Sequence, residues 1–163
     1  ESLLKLAVKA AINGGEEILR IYNTDFEIVT KSDNTPVTSA DKASGIAINK
    51  ILSESKIPVI SEEEEIPDFN NRKNWEKVWM VDPLDGTKEY IKRNGEFAVN
   101  IALIENYKPI IGIIYAPVSH DIYFAAKGIG SFKIPQHDLI YELTKKNIPE
   151  KLRNYRQFNV LCV

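Results

Sequence analysis

An α+β layered fold, with long helices packed on a largely antiparallel sheet, is what this sequence predicts, and three observations predict it. The helical patterns come early, the strand patterns come late, and the late strands are joined by tight turns rather than by crossover helices. With 163 residues, 44% hydrophobic and 27% charged, the chain has material for one substantial core and the balance of an ordinary globular domain.

The elements follow in order. Leu4, Val8, Ala11, Ile12, Ile18, Leu19 and Tyr22 recur at helical spacing, so Ser2 to Tyr22 reads as a long amphipathic helix, with Gly14-Gly15 allowing close packing near its middle. Phe26 to Thr30 is a candidate strand, and Lys31 to Pro36 a polar, turn-rich loop able to close over a substrate near Asp41. Thr38-x-x-Asp41 reads as a capping box that opens a second helix ending near Ser53. Ile57 to Ile60 and Val78 to Val81 are short β-prone runs, placed so that the first could lie beside the second. Phe97 to Glu105 and Pro109 to Tyr115 flank Asn106-Tyr107-Lys108 as one hairpin, and Asp121 to Ala126 and Gly130 to Lys133 make another around Lys127-Gly128-Ile129. Residues 1–133 thus read as one domain and 134–157 as a connector carrying a short helix near Pro149 to Asn154.

Composition excludes several classes. A net charge of −2 leaves no electrostatic footprint for long nucleic acid, and no stretch reaches the roughly 20 apolar residues of a membrane helix. The sole cysteine, Cys162, excludes an internal disulfide and reads as a small core residue, so a reducing cytoplasm is the expected compartment. His120 and His137 stand in turn or linker contexts typical of solvated histidines, and no Ser-His-Asp or Cys-His pattern emerges.

The chemistry concentrates at Asp82-Pro83-Leu84-Asp85-Gly86-Thr87-Lys88, placed where the apolar run Val78 to Val81 ends. Asp82 and Asp85 offer hard oxygens suited to Mg²⁺, the Leu84 carbonyl is a further candidate ligand, and Pro83 shapes the turn beforehand. If Thr87 to Tyr90 open a helix, the amides of Gly86, Thr87 and Lys88 would face an anion such as phosphate. Glu62 lies at the exit of Ile57 to Ile60, where its carboxylate would crowd Asp82 and call for a divalent cation, whereas Glu64 and Glu65 read as solvated. Ordinary turn chemistry also accounts for Asp-Pro and Asp-Gly pairs. Capping alone would explain Asp41; the functional alternative is that Asp41 and Thr87 orient an attacking water, and spacing does not choose between them.

Together, Pro36 to Asp41, Ser61-Glu62-Glu63 and Val81 to Thr87 resemble the signature of the lithium-sensitive, magnesium-dependent phosphatases of the inositol monophosphatase superfamily. The continuation Lys88 to Leu103 looks most like the CysQ-type 3'(2'),5'-bisphosphate nucleotidases. The resemblance implies a sugar-phosphatase-like layered fold and Mg²⁺ as cofactor, two or three ions per complete site. It implies that Glu62 and Asp82 hold one ion with the Leu84 carbonyl, that Asp82 and Asp85 share a second, and that Asp41 and Thr87 activate water. Gly86, Thr87 and Lys88 would bind the substrate, a small phosphorylated molecule expected to be 3'-phosphoadenosine 5'-phosphate, yielding AMP and phosphate. Inositol phosphates and fructose 1,6-bisphosphate are the alternative substrates, and a non-catalytic metal- or nucleotide-binding fragment is the alternative of another class. The oligomeric state stays open, and peripheral placement at an inner membrane stands beside the cytoplasm. Family members continue into a second α/β domain with another metal-binding aspartate. Residues 158–163 look like its first strand, so an incomplete chain is expected.

Overall fold

The computed structural model describes residues 2–25, 28–30 and 36–135. In chain order these form α1 (Leu3–Tyr22), β1 (Ile28–Thr30), β2 (Pro36–Thr38), α2 (Ser39–Leu52) and β3 (Val59–Ser61). They continue as α3 (Phe69–Arg72), β4 (Lys77–Asp85), α4 (Thr87–Ile91), β5 (Ala98–Glu105), β6 (Lys108–Ala116), β7 (Asp121–Ala126) and β8 (Gly130–Pro135). A single 3-10 turn at Ser53–Ser55 closes α2. β1 and β2 pair as a separate antiparallel ribbon, and the other six strands form one sheet in sequence order. In that sheet β3 runs parallel to β4 and every other pairing is antiparallel. The structure therefore has the α+β layered architecture that the order of sequence patterns predicts.

Helix α1 begins where Ser2 caps it, the hydroxyl accepting from the Lys5 amide at 3.3 Å. Its paired glycines set how closely the layers approach. A Cβ on Gly14 would stand 2.7 Å from Ile48 of α2, and one on Gly15 would stand 2.3 Å from the Tyr115 ring of β6. Hydrogens in these places let one helix touch both its partner helix and the sheet. Strand alternation then sends Trp79, Val81, Val99, Ile101, Leu103, Ile113 and Tyr115 into the core shared with α1 and α2. The intervening residues Met80, Ile114 and Tyr123 are partly exposed on the other face, beside a cleft of about 770 Å³.

Helix α4 is bolted to the end of α1. Tyr90, Tyr22 and Phe97 cluster with ring centroids 5.0–5.2 Å apart. Arg93 lies over the Tyr22 ring and donates to the carbonyls of Tyr22 and Thr24. Since α4 follows Gly86 directly, this cluster fixes where the acidic motif ends.

The structure departs from the sequence expectations in five places. β4 does not stop at Val81 but continues through Pro83 to Asp85. The register explains how a proline is accommodated: Asp82 pairs with Asn100 and Asp85 with Ala98, so β4 carries one residue more than β5 across that interval and bulges. Pro36, expected in a loop, starts β2. β8 runs on to Pro135, past the Lys133 expected to end it, and α3 is a short helix with no clear periodic signal. His120, expected to be a solvated histidine, is exposed but has Nδ1 3.3 Å from the buried Tyr115 hydroxyl. The expected substrate-covering loop at residues 31–35, His137, Cys162, the connector and the closing strand at 158–163 lie outside the described residues. Among the described residues no helix is long and apolar enough to cross a membrane.

Candidate active site

Three chain segments meet at one end of the sheet, and backbone pairing brings two of them together. β3 lies parallel to β4 with Ser61 beside Val81, and the Glu62 amide extends the ladder by donating to the Val81 carbonyl at 3.0 Å. Glu62 therefore emerges next to Asp82. The third segment is the start of α2, where Thr38 and Asp41 form the predicted capping box. Asp41 Oδ2 accepts from the Thr38 amide at 2.7 Å and from the Thr38 hydroxyl at 2.6 Å, in a fully buried setting.

Capping occupies only one oxygen of Asp41. The other, Oδ1, accepts from the Thr87 hydroxyl at 3.2 Å across 46 positions of sequence, and the same hydroxyl lies 3.2 Å from the Leu84 carbonyl. Asp41 thus caps α2 and also accepts from Thr87, the residue named with it in the water-orienting alternative. Gly86, between Leu84 and Thr87, has φ +91°, and a Cβ there would stand 2.9 Å from the Glu96 carbonyl. Glycine is what lets β4 turn directly into α4.

Electrostatics mark the carboxylates as crowded. Asp82 is half-buried, and its pKa is pushed up from 3.8 to about 7, first by burial, then by Glu62 and then by Asp85. The Leu84 amide donates to Asp82 Oδ1 at 3.2 Å and pulls modestly the other way. Glu62 and Asp85 are exposed, and among the described residues no group of three His, Cys, Asp or Glu side chains is drawn tightly enough to hold a metal ion. The convergence expected of Glu62, Asp82 and Asp85 is thus one of electrostatic reach rather than of closed coordination. Carboxylates that repel one another draw together when a cation neutralises them. The donor set, all carboxylate and carbonyl oxygen, fits a hard divalent cation such as Mg²⁺.

Of the anion-facing amides expected at Gly86, Thr87 and Lys88, the structure places all three at the start of α4. That helix is little more than one turn, so its dipole adds little and the first-turn N–H groups themselves would contact an anion. The Lys88 side chain is exposed.

Sequence reasoning missed three polar residues that hold these segments in place. Ser44 Oγ, fully buried on α2, donates to the Pro83 carbonyl at 2.9 Å, and Gly45 lets α2 press against the Pro83 ring. Asn49 donates to Glu64 Oε1 at 2.6 Å. Asn100 of β5 donates to Asp85 Oδ2 at 2.9 Å. Asp41 and Ser44 lie about one turn apart on α2 and are both buried, a signal present in the sequence once α2 is known to cross the acidic motif, whereas Asn49 falls off that line.

Comparison with known proteins points to one family. The model of the inositol monophosphatase family matches residues 1–155. The 3'(2'),5'-bisphosphate nucleotidase CysQ of Shigella flexneri is 48% identical over 130 residues, covering 77% of this chain and 52% of the relative. The crystal structure of CysQ from Bacteroides thetaiotaomicron superposes with a TM-score of 0.72 at 44% identity, over 85% of this chain and 55% of the other. An inositol monophosphatase/NADP phosphatase solved with Mg²⁺ and phosphate shares the fold at a TM-score of 0.64 and 21% identity, over 72% of this chain and 45% of that one. The chain spans about half the length of the curated relatives it matches. With a family model matched over nearly its whole length and the acidic segments brought to one sheet end, the chain belongs to the inositol monophosphatase family.

Proposed function

We propose that this chain carries the metal- and phosphate-binding part of a Mg²⁺-dependent phosphatase that removes the 3'-phosphate of 3'-phosphoadenosine 5'-phosphate. The observation that carries the reading is the contact between Thr87 Oγ1 and Asp41 Oδ1, set beside the crowded Glu62, Asp82 and Asp85. Glu62, Asp82, Asp85 and the Leu84 carbonyl would hold the cation. Bound Mg²⁺ supplies Lewis-acid charge to phosphoryl oxygens and makes water a better nucleophile.

The remaining work falls to the chain's own groups. The Thr87 hydroxyl directs its proton toward Asp41 Oδ1 and the Leu84 carbonyl, which leaves its oxygen lone pairs to accept from a water. Asp41, buried and fixed by two hydrogen bonds from Thr38, is the carboxylate that takes the proton through that hydroxyl. The amides of Gly86, Thr87 and Lys88 face the phosphate. The nucleotidase reading is preferred over the inositol phosphatase reading because the relatives compared at 44–48% identity are CysQ proteins.

The test is phosphate release from 3'-phosphoadenosine 5'-phosphate and inositol 1-phosphate across a Mg²⁺ titration. It uses this chain alone and this chain extended with the C-terminal portion of the Shigella flexneri relative. Nucleotide-selective release by the extended protein is expected. Preference for inositol 1-phosphate moves the reading to an inositol phosphatase, and Mg²⁺ binding without release from either protein supports a binding role.

A further inference from the structure

We propose that Asn100 is a positioning residue, which holds Asp85 so that one of its carboxylate oxygens stays turned toward the cation. The inference rests on the reading of Asp85 as a cation ligand and goes beyond it by assigning the group that aims it. Asn100 stands directly opposite Asp82 in the β4–β5 register, and the bulge between Asp82 and Asp85 brings the second carboxylate back within reach of the same amide. Its Nδ2 donates to Asp85 Oδ2 at 2.9 Å, leaving Oδ1 of Asp85 without that constraint. Asp85 is exposed and repelled by Asp82, so without a tether its side chain would swing toward solvent.

The chemistry of an amide suits this position. A lysine would neutralise the site and compete with the cation, and a serine would be too short to reach. A carboxamide offers a donor without net charge. Its other end is informative as well. Asn100 Oδ1 is shut off from solvent and has no hydrogen-bond partner among the described residues, although Asn100 lines the same cleft as Glu62 and Asp82. A group kept for folding alone would be satisfied or apolar. The amide is therefore retained at some cost to the fold.

The experiment is Mn²⁺ binding to the full chain by calorimetry, with urea unfolding in EDTA beside it. Both are run on the parent, Asn100→Leu, Asp85→Ala and the double variant. Leucine keeps the shape of asparagine and removes the donor. The expected result is Mn²⁺ binding weakened about tenfold in Asn100→Leu, with metal-free stability unchanged or raised, because an unsatisfied oxygen is gone. If Asn100 acts through Asp85, the double variant binds no more weakly than Asp85→Ala alone. Affinity of Asn100→Leu within twofold of the parent while Asp85→Ala loses binding overturns the inference and leaves the cation reading standing. So do losses that multiply in the double variant. A parent chain that takes up no Mn²⁺ overturns both.

Discussion

Raising the pH of the metal-free protein is expected to weaken it, and Asp82 is the cause. Its pKa in the folded chain is about 7 against an ordinary 3.8, so the folded state holds this proton more tightly than the unfolded state. The stability from that proton is present in full below about pH 4 and is lost as the pH rises to about 7. Above that window Glu62, Asp82 and Asp85 are all charged and repel. Taken without screening, the difference between 3.8 and about 7 corresponds to about 4 kcal/mol. Asp82 is only half-buried, and solvent screening cuts this to about 1–2 kcal/mol. The assay is urea unfolding in EDTA at about pH 4, 6 and 8 for the parent and Asp82→Asn. The variant keeps an acceptor for the Leu84 amide but cannot ionise. Its stability relative to the parent should rise by about 1–2 kcal/mol between the lowest and highest pH. Saturating Mg²⁺ should reverse the order at high pH, because only the parent gains binding energy. A difference that stays constant across the window, or one that moves in the parent's favour without metal, refutes the argument.

Four further outcomes follow from single contacts. Asp41→Ala strands the Thr38 amide and hydroxyl in a buried setting and should cost about 2–3 kcal/mol in urea unfolding. Asp41→Asn should cost less stability yet lower phosphate release by about 100-fold or more in the extended protein, measured under saturating Mg²⁺. Ser44→Ala leaves the Pro83 carbonyl without its donor, and a loss of about 1–2 kcal/mol is expected by chemical denaturation. Gly15→Ala drives a methyl into the Tyr115 ring and should lower the unfolding midpoint by the equivalent of about 1–3 kcal/mol.

Local chemistry made much of this fold legible. The apolar spacing of α1 and the capping box of α2 are read within a few residues of chain, and the structure has both. The first hairpin was legible because Asn106 and Tyr107 interrupt two β-rich runs, and both adopt positive φ there. What local pattern could not show depends on pairing. Pro83 looks like the end of a strand until the bulge opposite Asn100 and Ala98 is seen to absorb it. Pro36 joins a strand only because residues 28–30 lie beside it. The site divides in the same way. Asp82, Asp85, Gly86 and Thr87 are contiguous and announce themselves, and Glu62 follows from a strand that could run beside theirs. Ser44, Asn49 and Asn100 act across 39, 15 and 15 positions, on partners chosen by packing, so nothing in their own neighbourhoods marked them.

The central claim, that Glu62, Asp82 and Asp85 with the Leu84 carbonyl form one divalent-cation site beside Thr87, is tested most directly by anomalous diffraction from crystals grown with Mn²⁺ and phosphate. The account predicts a manganese peak about 2.1–2.3 Å from these oxygens, with phosphate density against the amides at the start of α4. Manganese bound elsewhere, with these carboxylates left turned to solvent, would contradict it.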